Sequence, residues 1–133
     1  MNEETKPDMV NHPRHYTEGY QGVECIEIMR ELPASAGAAF KYVWRAGAKG
    51  KKGKFREDIE KAVWFLNDAI KNERSMFTER LEAKRIGARL DLATQTQPAW
   101  RIHVLYLIWR RNYKVAMSTL QSCLKDKKWE GDL

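Results

Sequence analysis

Phe55, Ile59, Ala62, Val63, Leu66 and Ile70 recur at intervals of one, three and four residues. That spacing gathers apolar side chains along one side of an α-helix. Glu57 and Asp58 stand in its first turn, where the helix dipole favours acids. Phe77 and Leu81 extend the stripe toward Leu90, with Gly87 as a weak point. A long helix from about residue 55 is therefore expected, and the rest of the chain must supply partners for its apolar face.

Those partners also read as helices. "VECIEIMREL" (23–32) carries Cys25, Ile26, Met29 and Leu32 as an apolar stripe and ends at Pro33. "AGAAFKYVWRA" (36–46) has Ser35 as a candidate N-cap and Gly47 as a C-terminal stop. Its small alanines allow close packing. Pro98 can open a further helix, with Thr96 or Gln97 near its cap. Residues 99–111 are apolar on nearly every side, which predicts a buried element, often one held between subunits. A strand over 102–109 would lack a partner, so helix is preferred. Residues 113–126 form a last amphipathic segment through Met117, Leu120 and Leu124. With 133 residues, the expected fold is a small all-α domain that assembles into an oligomer. The expected divisions are an extended N-terminal segment (1–22), a helical domain (10–72) and a helical extension (73–133) for oligomerisation.

The net charge of +6 has a centre. Residues 1–31 hold three basic and seven acidic side chains, whereas 32–56 hold seven basic and no acidic ones. A concentrated positive field attracts phosphates; the plain alternative is a solvated basic loop. "GAKGKKGK" (47–54) is not a Walker A loop, because Phe55 occupies the hydroxyl position and a helix precedes it. Cationic side chains, Lys41, Arg45 and Lys49 foremost, would have to hold any phosphate. Lys41 and Arg45 stand four apart and leave one helix face together.

Three further groups can carry chemistry. "NHPRHY" (11–16) places His12, His15, Arg14 and Tyr16 around Pro13, which keeps the segment extended. His103 reads as a core or interface residue. "ECIE" (24–27) and "EDIE" (57–60) pair glutamates three apart, a pattern that can hold Mg²⁺ but is common on helix surfaces. Tyr42, Trp44 and Trp64 are candidates to stack on a base, with burial in the core the plainer reading, favoured for Trp64. Cys25 and Cys123 match no metal spacing and read as free thiols of a reducing cytosol. No signal-peptide or membrane-spanning segment is recognised, so a cytoplasmic protein is expected.

"NHPRHY", "ECIE", "FKYVWRAGAKG" and "EDIEKAVWFL", in this order and spacing, resemble a small phage and prophage domain family that includes a nucleoside monophosphate kinase without a P-loop. The resemblance covers about residues 10–70. It implies phosphoryl transfer from a nucleoside triphosphate to a deoxynucleoside monophosphate, dTMP or dGMP, in a helical oligomer. By the same resemblance, Lys41, Tyr42, Arg45 and Lys49 hold phosphates, and His12, His15 and Tyr16 line the pocket. His15, Asp58 and Lys61 are the catalytic candidates, and Glu24 supports them. No cofactor is required beyond the triphosphate, and Mg²⁺ is compatible but not demanded, since a Lys and Arg cluster can partly replace it. Two alternatives stand beside this one: a non-catalytic protein that sequesters a nucleotide, as an anti-defence device, and a Mg²⁺-dependent pyrophosphohydrolase using Glu24, Glu27, Glu57 and Glu60. Nucleic acid is the weaker partner, because duplex binding leaves the acidic first helix and the histidines without a role. No membrane partner is expected.

Overall fold

The computed structural model describes residues 19–47, 52–74 and 81–126. Among them the chain is all-α: α1 (Cys25–Met29), α2 (Ala34–Arg45), α3 (Lys52–Asn72), α4 (Leu81–Ala93), α5 (Ala99–Trp109) and α6 (Tyr113–Lys125), with no strand. The expected extended segment over 1–22 lies almost wholly outside the described residues.

The pairing of α2 with α3 is the spine of the fold. α6 lies against α3, and α5 lies against α2, so the two C-terminal helices close the same core. That core runs from Val23, Ile28, Phe40 and Val43 through Phe55, Ile59, Leu66 and Ala69 to Leu105, Ile108 and Leu120. Residues 99–109 thus bury Val104, Leu105, Ile108 and Trp109 inside this chain's own core. His103 of α5 is exposed in this chain, which removes the core half of its reading as a core or interface residue. Close approach of α1 and α2 depends on Gly37, where an added Cβ would stand 3.2 Å from the Met29 carbonyl oxygen.

Several local expectations are corrected. α1 buries Cys25 and Ile28, while Ile26 faces solvent. The Glu24 backbone N–H donates to the Glu27 carboxylate at 2.8 Å, so that pair closes the start of the helix. Ser35 lies inside α2, whose N-cap is Pro33. The orphan N–H groups of Ser35 and Ala36 donate instead to Glu73 at 2.7 and 3.0 Å, and the Ser35 hydroxyl donates to Asp68 at 2.5 Å. The end of α3 therefore caps the start of α2.

The stripe from Phe55 toward Leu90 is not one helix. α3 ends at Asn72, whose amide donates to Asp68, and the Ile86 and Leu90 stripe belongs to α4, which packs on α1. Thr96 and Gln97 do not cap α5; both side chains donate to the Gly19 carbonyl. α5 itself ends in a Schellman turn. Asn112 N–H bonds the Leu107 carbonyl at 2.8 Å and Arg111 N–H bonds that of Ile108 at 3.0 Å, with Arg111 at φ +67°. The turn accounts for the left-handed arginine.

Candidate functional site

α2 and α3 bring Lys41, Tyr42, Arg45, Asp58 and Lys61 together. The Tyr42 ring is the centre. Lys41 Nζ stands 4.9 Å, Lys61 Nζ 5.4 Å and Arg45 Cζ 5.8 Å from its centroid. Phe65 stacks on Tyr42 at 5.8 Å between centroids, and Trp64 meets Phe65 in a T-shaped contact at 5.0 Å. Helical spacing explains the grouping: 41, 42 and 45 share one side of α2, and 58, 61 and 65 share one side of α3.

Three cations around one ring repel one another, and two carboxylates offset part of that. Arg45 Nε lies 3.7 Å from Asp58 Oδ2, with side-chain exposures of 16% and 5%. Lys61 Nζ lies 3.0 Å from Glu57 Oε1, and Lys54 reaches the other oxygen of the same carboxylate at 3.3 Å. The hydrogen bond from Lys61, then that from Lys54, holds the Glu57 carboxyl below its usual range. The hydrogen bond to Glu57 raises Lys61, which stays charged at neutral pH. Counting Lys54, four positive groups against two carboxylates leave this face with two units of excess positive charge. Such a face can receive a phosphate at Lys41 and Lys61, with Arg45 fixed from beneath by Asp58.

His12, His15, Tyr16 and Lys49 lie outside the described residues. The backbone after the histidine motif and that before the basic loop are tied down. Gly19, where the described chain begins, presents its carbonyl to Gln97 at 2.9 Å. Gln97 in turn accepts from Arg101 at 2.6 Å, and Arg101 donates to the Ala46 carbonyl just before the basic loop. Tyr20 adds a hydrogen bond of 2.5 Å to the Trp44 carbonyl and stacks on the Trp44 ring at 3.8 Å. Burial pushes the Tyr20 hydroxyl far up. Sequence reasoning missed Arg101; its signal is a cation inside the otherwise apolar "AWRIHVLYLIW". Trp44 is core at 1% exposure, whereas Trp64 is 63% exposed, the reverse of the burial expected for it.

Glu24 supports the start of α1, where its side chain accepts from the Glu27 N–H. The paired glutamates do not converge. Glu27 receives two hydrogen bonds from Arg89 at 2.9 and 3.0 Å, Glu57 holds Lys54 and Lys61, and Glu60 pairs with Arg56 at 3.9 Å. No group of three metal-ligating side chains forms among the described residues. A hollow of about 400 Å³ beside the contact of α1 with α4 is lined by Glu27, Arg30, Glu31, Arg85, Ile86 and Arg89. Among the described residues no helix is long and apolar enough to cross a membrane. Both cysteines are free thiols.

Residues 10–67 match the model of a family described as a protein of unknown function, DUF3310. The match takes in the histidine motif, α1, α2 and the first three-quarters of α3, and so every member of the Tyr42 cluster. No curated protein matches the chain, and no solved structure does.

Proposed function

We propose that this chain is a phage-type nucleotide kinase that transfers a phosphoryl group from a nucleoside triphosphate to a deoxynucleoside monophosphate. The observation that carries the reading is the set of three cations within 6 Å of the Tyr42 ring, inside the segment whose motifs resemble the P-loop-less kinase family. In the reaction a phosphate oxygen of the monophosphate attacks the γ-phosphorus of the donor. One P–O bond forms as the bond to the β,γ-bridging oxygen breaks, and a nucleoside diphosphate leaves. Charge spreads over the equatorial oxygens, and cations fixed in advance stabilise it. Lys41 and Lys61 meet those oxygens. Asp58 positions Arg45. The path from Gly19 through Gln97 and Arg101 to Ala46 brings the chain after the histidine motif and the chain before the basic loop to one corner, which supports a shared pocket for His12, His15, Tyr16 and Lys49. His15 is the proton acceptor when the attacking phosphate carries a proton.

One observation favours a second reading, in which the chain holds a nucleotide without turning it over. Asp58, a candidate base, is buried under Arg45 and lies poorly placed to meet a substrate. Incubation with dTMP or dGMP and ATP separates the two: diphosphate product supports the kinase, and recovery of intact bound nucleotide supports the holding protein. The proposal includes a homo-oligomer in the host cytoplasm, formed through the half-buried side of α5 at Ile102, Tyr106 and Leu107; light scattering measures it.

A further inference from the structure

The phosphate-binding reading leaves open what recognises the remainder of a nucleotide. Tyr42 is occupied, because Phe65 stacks on it and three cations crowd its ring. Trp44 is buried beneath Tyr20. Trp64 differs from both: 63% of it is exposed, and it projects from the middle of α3, a 21-residue helix. It stands three residues after Lys61 and next to Phe65, so indole and ammonium share one helix face about one turn apart. Its T-shaped contact with Phe65, itself stacked on Tyr42, fixes the indole relative to the cations. A large apolar ring exposed to water beside a phosphate-attracting cluster suits a ligand with a flat face at one end and a dianion at the other.

We infer that Trp64 is the stacking platform for the nucleobase of a nucleotide whose phosphate lies at Lys41 and Lys61. This rests on the phosphate-site reading above and adds the base. Stacking accepts every base, because each has a π-face. Purine and pyrimidine nucleotides then both bind, the purine more tightly through its larger face.

The test is isothermal titration of the full chain with two probes, dGMP and inorganic pyrophosphate, in wild type, Trp64→Ala and Trp64→Phe. The inference predicts that Trp64→Ala weakens dGMP by about tenfold or more, the size of one lost base–aromatic stack. Pyrophosphate affinity stays within twofold, and Trp64→Phe recovers most of the dGMP affinity. Equal dGMP affinity in wild type and Trp64→Ala overturns the inference. So does a parallel loss of dGMP and pyrophosphate, which is the mark of a disturbed fold or a broken subunit contact. Wild type that binds neither probe overturns the phosphate site itself and this inference with it. Wild type that binds pyrophosphate but gains nothing from the base of dGMP removes the platform alone.

Discussion

Arg45 and Asp58 form a largely buried ion pair that joins α2 to α3, with Nε 3.7 Å from Oδ2. With the Arg45 guanidinium 5.8 Å from the Tyr42 ring centroid, the pair has two consequences, one for the fold and one for the site. The Asp58 carboxylate helps to retain a cation at the surface, and the guanidinium compensates a charge that would otherwise stand inside the core.

Removing one partner takes from the other the opposite charge it is paired with here. Arg45→Met leaves Asp58 beneath the site without this cation and is expected to cost on the order of 3 kcal/mol in urea unfolding. The double variant Arg45→Met/Asp58→Leu recovers most of that loss, because a buried pair replaced by apolar side chains is often neutral. A double variant no more stable than the single one contradicts this account of the pair.

Lys61 gives the opposite profile. Its pair with Glu57 is exposed, and pairs of that kind add little to stability. Lys61→Ala therefore leaves the urea midpoint unchanged, while pyrophosphate affinity falls by about tenfold, the size of one charge-assisted hydrogen bond. An unchanged affinity separates Lys61 from the phosphate.

The alkaline limb of stability depends on Tyr20 and Cys25. Burial keeps both protonated above their ordinary values of 10.0 and 9.0. The unfolded chain releases these protons first, so their contribution is complete below pH 9 and is lost as the pH rises further. Tyr20→Phe removes the hydrogen bond to the Trp44 carbonyl and costs about 1 kcal/mol at neutral pH. It also removes one alkaline titration, so the gap between wild type and variant narrows above pH 10. Urea midpoints across pH 7–11 measure this, and a constant gap contradicts it.

Periodicity made the helices legible, because each buries one stripe: Phe55, Ile59 and Leu66 on α3, and on α6 Leu120, with Tyr113 and Ala116 buried where Met117 and Leu124 of the expected stripe are half-buried. It could not say where α3 stops. Nothing local in the sequence states that Glu73 and Asp68 will be recruited to the start of α2, more than thirty residues earlier. The same limit explains Ser35, a good N-cap by type whose hydroxyl is held by α3. In the site, the spacing of Lys41 and Arg45 placed both on one side of α2. The convergence of Lys61 on Tyr42 needed the packing of α3 against α2. The exposure of Trp64, against the core reading favoured for it, follows from the same packing, because a tryptophan suits either side of a helix. Arg101 stayed hidden because an apolar run shows where a core is but not which backbone carbonyl a cation inside it will reach.

The most direct measurement is product analysis after the purified full chain is incubated with ATP and, separately, dTMP and dGMP. The account predicts the matching deoxynucleoside diphosphate, at a rate that falls when Lys41 or Lys61 is replaced by alanine. No diphosphate from either nucleotide contradicts the kinase, and pyrophosphate release in its place points to the hydrolase chemistry that the separated glutamates do not favour.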